Sequence, residues 1–336
     1  MMLSIVIPVK NDAAGVERCL ASIKAAAHAS ISHGITHEVI VVDNGSTDNT
    51  VAVAKNCGAK IIVAPDLTVA ALRNLGAKEA VGEYLAFLDA DCSVSENWFA
   101  SVAKYVNGED AGAACFGSPP CVPDNATWVQ TCWYQIRKKR FFGRKVFEVE
   151  WLESMNIFVK RSEFISVSGF DEQMITCEDV DLCNRLSQRS PIVCDNGIEA
   201  IHHGEAETLR QFYKKERWRG TSNWQSLRKH NFDKSELPSA LLPVVHLVLL
   251  FVVGLAGVLA AFKVIPFYVV LAVLCLWQLP LLWLGLKKSR GQRSVKLVLG
   301  VYFLLNLYFF ARGVSLFSYA AWDHPSAFRS GATAAV

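Results

Sequence analysis

The chain has 336 residues, 52% of them hydrophobic, which is enough for one full α/β domain and a second part. Its formal net charge of +3 is uneven: eight Lys or Arg and one acid lie from Leu237 onward, leaving residues 1–236 with 26 basic and 30 acidic side chains, net −4. No basic stripe with interleaved aromatics crosses the first part, so nucleic acid is excluded as an expected partner, and the ten cysteines include no C-x-x-C pair, which argues against a zinc site or a disulfide framework and fits a reducing compartment.

Taken in order, Leu3–Val9 predicts a first strand, and Gly15–Ala27 an amphipathic helix with Val16, Leu20 and Ile23 on one face. A second strand, His37–Val42, is wholly apolar after its first residues and so is expected in the middle of a sheet. It runs into Asp43-Asn44-Gly45-Ser46-Thr47-Asp48, turn chemistry that precedes a helix over Thr50–Asn56. Lys60–Ala64 predicts a third strand, Val69–Ala80 a helix and Tyr84–Leu88 a fourth strand. This alternation predicts a doubly wound α/β sheet. The absence of G-x-G-x-x-G after the first strand argues against a dinucleotide-binding dehydrogenase.

The fourth strand stops in Asp89-Ala90-Asp91. Ligands of open α/β sheets gather past the carboxyl ends of the strands, and residues two apart near a strand end face one side. Both carboxylates can then face one hard cation, Mg²⁺ or Mn²⁺. A polar turn that holds two Asp is the plain alternative.

Three apolar stretches follow the soluble part. Ala240–Phe262 and Val264–Leu286 carry no charged side chain, and Val295–Trp322 carries only Lys296 and Arg312. About 20 apolar residues span a bilayer core, so residues 237–322 are expected to be a membrane domain of about three helices (240–262, 264–286, 295–322), with residues 1–236 as a soluble domain and 323–336 as a short tail. The N-terminal run Met1–Pro8 lacks the charged segment of a signal peptide. The basic loop Lys287–Arg293 then obeys the positive-inside rule after two spans, which places the first domain on the cytoplasmic side of the cell inner membrane in a multi-pass protein. Whether the third stretch crosses or re-enters stays open. Arg312, deep in that stretch, is expected to snorkel to an interface or to meet a lipid phosphate. Arg137-Lys138-Lys139-Arg140, with Trp133, Phe141 and Phe142, is a second candidate for touching the membrane surface.

Four segments in fixed order resemble family 2 glycosyltransferases with the GT-A fold: Ser4–Asn11, Val41–Asp48, Ala71–Gly76 and Phe87–Asp91. The resemblance covers roughly residues 3–230 and implies a nucleotide-sugar-binding GT-A domain with a mixed sheet. By that resemblance Asp43 contacts the base or ribose, Pro8 and Lys10 line the same pocket, Arg73 reaches the diphosphate, Asp89 sits near the ribose and Asp91 takes Mn²⁺ or Mg²⁺. His202 or His203, in Ile201-His202-His203-Gly204, is the candidate further metal ligand. Asn156–Arg161 resembles the strand under the acceptor pocket. Glu178-Asp179, opening a helix in E-D-x-D-L-x-x-R, resembles the family's catalytic acids, with Asp179 as base and Glu178 as its neighbour. Arg217, in Arg217-Trp218, resembles part of the Q-x-x-R-W signature of processive synthases and is a candidate donor-binding residue, its basic cluster meeting the donor phosphates or anionic headgroups. Here five residues separate Gln211 from Arg217, and this departure puts processivity in doubt.

The implied function is an inverting, metal-dependent transfer of a sugar from a nucleotide diphosphate to a lipid-linked or glycan acceptor, in exopolysaccharide or cell-envelope glycan synthesis. A polyprenyl-phosphate sugar synthase shares most of these features. A non-catalytic membrane scaffold on the same fold is the reading of another class, and intact Asp89, Asp91 and Asp179 speak against it.

Overall fold

In the computed structural model, residues 1–31, 34–107, 113, 115–138, 144–221, 227, 234, 237–290 and 294–319 are described. In chain order the elements are β1 (Met2–Val9), α1 (Ala13–Ala29), β2 (Thr36–Asp43), α2 (Thr50–Asn56), β3 (Lys60–Val63), α3 (Val69–Lys78), β4 (Tyr84–Leu88), β5 (Cys92–Val94), α4 (Trp98–Val106), β6 (Cys115–Gly117) and α5 (Trp128–Arg137). There follow β7 (Val146–Val149), β8 (Asn156–Lys160), α6 (Arg161–Ser166), α7 (Glu178–Ser187), β9 (Ile192–Asp195), β10 (Ala200–His202), α8 (Leu209–Arg219), and three long apolar helices, α9 (Leu237–Ala261), α10 (Phe267–Lys288) and α11 (Val295–Tyr319). They divide into two compact units: residues 1–124 with 138–204, and residues 125–137 with 205–335.

The first unit is built on an eight-stranded sheet of order β3-β2-β1-β4-β8-β6-β9-β7. The first four strands are parallel; β8 runs antiparallel to both β4 and β6, and β7 antiparallel to β9. The period of two along each strand decides the layers. Leu3, Ile5 and Ile7 of β1 face one core with Val16, Leu20 and Ile23 of α1 and Trp98 and Val102 of α4. Val6, Ile40, Val42, Leu85 and Phe87 face the other, against Leu72 of α3, Phe164 of α6 and Leu182 and Leu186 of α7. A strand buried on both faces needs an apolar run rather than alternation, which is why β2 and β4 were recognisable. A short pair, β5 with β10, stands apart from the main sheet and pairs Cys92 with His202.

In the second unit, α5 and α8 share a core with α11 through Cys132, Trp133, Phe212, Val301, Leu304, Leu305 and Phe309. The helices α9, α10 and the stretch Val295–Phe317 are each long and apolar enough to cross a membrane. Arg312 does not depend on an interface for its partner: its Nη2 lies 3.0 Å from Glu216 Oε2 on α8, and Glu216 is wholly buried. The pair continues through Arg219 (2.7 Å to Glu216) to Glu205 and Arg137 (2.5 Å apart). Snorkelling is therefore replaced by a buried ion-pair chain, which satisfies charges that would be costly alone. Lys139, Arg140, Phe141, Phe142, Gly291–Arg293 and the tail 323–336 lie outside the described residues. Gln211 is the third residue of α8 and closes a capping box with Thr208, a local use of that side chain.

Candidate active site

The loops after β1 and β2 are laced together. Asn11 sits in the left-handed region at φ 52° and its Oδ1 accepts the Thr47 backbone N–H at 2.8 Å, while its own N–H donates to Ser46 Oγ at 2.8 Å. Asn is among the residues that bear this conformation most readily. Beside this lace Asp43 is 1% exposed. Its Oδ2 accepts the Ser46 N–H at 2.9 Å, and its Oδ1 has no hydrogen-bond partner among the described residues. An unmet buried carboxylate oxygen costs on the order of 1–3 kcal/mol or more, which a ligand N–H or O–H would recover. Pro8 is buried and Lys10 half-buried in the adjoining loop.

Arg73, 3% exposed on α3, joins two parts of the site. Its Nη2 donates to Asp89 Oδ1 at 2.7 Å and its Nη1 to Glu178 Oε1 at 2.8 Å. Burial works against the guanidinium, but the Asp89 and Glu178 carboxylates outweigh it and hold its pKa above the usual value. Both Nη groups expected on a diphosphate thus hold protein carboxylates. Asn74, next in sequence, accepts the Phe170 N–H at 2.9 Å and donates to Phe170 C=O at 2.8 Å, fixing the turn after α6.

The β5–β10 register brings Asp91 to a histidine. His202 Nε2 lies 3.0 Å from Asp91 Oδ2, and the His203 backbone N–H donates to the Asp91 carbonyl at 2.9 Å. The His203 ring turns to Ser93 Oγ, 2.8 Å away. The structure therefore brings Asp91 and His202 together, with Asp89 engaged by Arg73 and His203 by Ser93. Asp91, Cys92 and His202 each present a ligand atom, all within 4.8 Å of one another. Cys92 is a poor member of that set: burial, then Asp91 and Asp89, push its thiol pKa well up, so it stays protonated. The Asp91 carboxylate suits Mn²⁺ or Mg²⁺, and the His202 imidazole favours the transition metal Mn²⁺ over Mg²⁺. Gly204 provides the room: a Cβ there would lie 1.7 Å from Asp91 Oδ2 and 3.2 Å from His202 Nε2.

The three acids of α7 have separate fates. Glu178 is held by Arg73, and Asp181, fully buried, by Arg185 at 2.9 Å. Asp179 has no ion pair among the described residues; its Oδ1 accepts the Val180 N–H at 2.8 Å. Burial, then the charges of Glu178 and Glu153, push its pKa up to about 7, against the pull of the Val180 N–H and Arg73. Nothing in the sequence reading pointed to Glu153. It is buried, and its Oε2 has no partner among the described residues. The only cue was an acid between the apolar Leu152 and Met155. If Asp179 works as a base, activity rises with pH through about 7. Replacing Glu153 with Gln removes a charge that raises Asp179, so the acid limb of the pH–rate profile moves to lower pH. A purely structural effect would scale the rate and leave the midpoint in place.

Asn156, fully buried at the start of β8, donates to Ser118 C=O (3.2 Å) and Ile198 C=O (2.9 Å) and accepts from Trp98 Nε1 (3.0 Å), which ties β8 to the end of β6 and to α4. Arg217 belongs to the second unit, exposed on α8.

Residues 4–163 match the family model Glycosyl transferase family 2. Glycosyltransferase AglE of Haloferax volcanii is 25% identical over 191 residues, 55% of this chain and 61% of that protein. An uncharacterized glycosyltransferase of Rickettsia typhi is 38% identical over 94 residues, 28% of this chain and 29% of that protein. The matches therefore span between about three-tenths and six-tenths of these relatives' length. Among solved structures, the mannosyltransferase PcManGT from Pyrobaculum calidifontis, in complex with GDP-Man and Mn²⁺, shares the fold with a TM-score of 0.62 at 14% identity, over 96% of this chain and 87% of that chain.

Proposed function

We propose that this chain, whose N-terminal domain belongs to glycosyl transferase family 2, transfers a sugar from a nucleotide diphosphate to a hydroxyl of a lipid-linked or glycan acceptor, with inversion at the anomeric carbon. The observation that carries the reading is Asp179, at the start of α7, a carboxylate without an ion pair among the described residues whose pKa is pushed up to about 7. A base works best when its pKa lies near the working pH. Arg73 fixes Asp179's neighbour Glu178 to Asp89, two residues before Asp91, and so joins the base to the donor end of the site.

Asp43 binds the nucleoside through its unmet Oδ1, with Pro8 and Lys10 beside it. Asp91 and His202 would hold Mn²⁺ or Mg²⁺, which supplies Lewis-acid neutralisation of the departing nucleoside diphosphate. Arg73 holds Asp89 and Glu178 in place. Asp179 takes the proton from the acceptor hydroxyl as that oxygen attacks the anomeric carbon and the diphosphate leaves from the opposite face. A lipid-phosphate acceptor is already an anion and has no proton to lose, so a carboxylate held near pH 7 favours the hydroxyl acceptor over a polyprenyl phosphate. The three apolar helices support attachment to a membrane, read here as the cytoplasmic membrane with the transferase domain in the cytoplasm and a role in cell-envelope glycan assembly.

The test is release of nucleoside diphosphate from a panel of nucleotide sugars by the full chain in detergent, each with Mn²⁺, Mg²⁺ and EDTA. One donor is expected to turn over with metal, and Asp91→Asn to lose that turnover. If no donor is hydrolysed and calorimetry detects no binding of any donor with or without metal, the enzyme reading fails.

A further inference from the structure

We infer that α11 does not cross the bilayer but lies along its surface, with α5 and α8 on one side and lipid on the other. The inference rests on the membrane reading above and uses the second unit alone.

The first observation is where α11 meets the hairpin of α9 and α10. His246 of α9 and Trp277 of α10 share a hydrogen bond, Nε1–H to Nδ1, at 3.1 Å, so they lie at one level. At ~1.5 Å per residue, that level is roughly 14–17 Å from the hairpin's base, counted from Leu237 and from Lys288. Tyr302 of α11 donates to Gln278 at 2.6 Å and packs against Gly285. Phe309 meets the His246 ring, centroids 5.9 Å apart, and Gly313 lies against Pro243 and Leu247. From Tyr302 to Gly313 the helix axis advances roughly 16 Å. The partners climb less than that: Gln278–Gly285 and Pro243–Leu247 all lie within roughly 15 Å of the base, in the lower half of the hairpin. A third span running beside α9 would carry Gly313 a full turn beyond His246. Instead it meets Pro243, on the side of the base. Large apolar side chains higher up the hairpin, among them Phe251, Phe262, Phe267 and Tyr268, are 66–77% exposed.

The second observation is what covers α11. Trp128 and Cys132 of α5 pack at Phe303 and Gly300, Tyr213 of α8 at Phe310, Glu216 at Arg312, and Gly220 at Ser315. Two polar helices thus flank it from residue 300 to residue 315. The exposed side chains of α8 include Arg210, Lys214 and Arg217. A spanning α11 would draw these into hydrocarbon, at ~2.5–3.5 kcal/mol each on insertion scales. A surface α11 leaves them in water. The side chains of α11 that no neighbouring helix meets are apolar: Val295, Leu299 and Phe317 are 54–75% exposed, with Val314 half-buried three residues before Phe317. Lys287 and Lys288 end α10 beside it and Lys296 begins it, a basic rim suited to anionic headgroups. The occupant of that face is the lipid surface, continuous with the hairpin that enters it.

The test is nitroxide depth by electron paramagnetic resonance, with the full chain reconstituted in phosphatidylcholine–phosphatidylglycerol vesicles. Labels are placed singly on Leu299→Cys, Phe303→Cys, Phe310→Cys and Phe317→Cys in a Cys57→Ser, Cys275→Ser background, with Leu255→Cys on α9 as the reference for depth. The expected result is one shallow depth, within about 5 Å, for all four α11 sites and a deeper Leu255→Cys. A profile in which the middle sites lie about 10 Å deeper than Leu299→Cys and Phe317→Cys overturns the inference. Aqueous exposure at all five sites instead overturns the membrane reading on which it rests.

Discussion

Asp179→Asn is expected to lower kcat by about 10²–10⁴-fold, the usual worth of a positioned general base, while leaving donor binding within a few-fold of wild type. The side chain keeps its shape and its contact with the Val180 N–H, so the loss would be one of proton transfer. Stability should move the opposite way. The folded-state pKa of about 7 stands above the ordinary 3.8, so the protonated form is favoured in the folded protein. That stabilisation is full below about pH 4 and is lost as pH rises through 7, where the half-buried carboxylate must ionise. An amide has nothing to ionise. The variant's Tm in detergent should therefore exceed that of wild type by a few degrees at pH 8, with the gap closing as pH falls to about 4. A residue that merely caps α7 would lose stability on substitution and leave kcat unchanged.

Gly204→Ala is expected to weaken metal-dependent turnover on the order of 10–100-fold, the usual cost of disturbing the shell around a metal ligand. The backbone of Gly204 does not require glycine; the space does. A methyl 1.7 Å from Asp91 Oδ2 must displace that carboxylate, and with it the 3.0 Å contact to His202. The metal concentration for half-maximal rate should rise while the circular dichroism of the purified protein is unchanged. Unaltered metal dependence would remove Asp91 and His202 from the metal site.

Much of the first unit was legible because its signals are local. Apolar runs gave β1, β2 and β4 nearly to the residue, the helix over Thr50–Asn56 was bounded correctly, and the position of Asp89 and Asp91 at the end of β4 followed from the strand alone. What was hidden depends on pairings between distant segments. The choice of His202 over His203 is made by the β5–β10 register, which joins residues about 110 apart and turns alternate side chains to opposite faces. Arg73 read as a cation for a diphosphate, because nothing in Leu72-Arg73-Asn74 discloses Asp89 and Glu178 as its partners. Arg312 read as a charge in search of water, because Glu216 lies 96 residues away on a helix whose own pattern is polar. Hydropathy measures length and composition, so it finds α9, α10 and α11 alike and is blind to the helices that flank the last of them.

The proposed transfer is a single displacement driven by one base. Its most direct test is the anomeric configuration of the product, read by ¹H NMR during turnover of the donor that the nucleotide-sugar panel identifies. Inversion relative to the donor is the predicted result. Retention would contradict the account, since it requires a second displacement and leaves Asp179 without the role assigned to it.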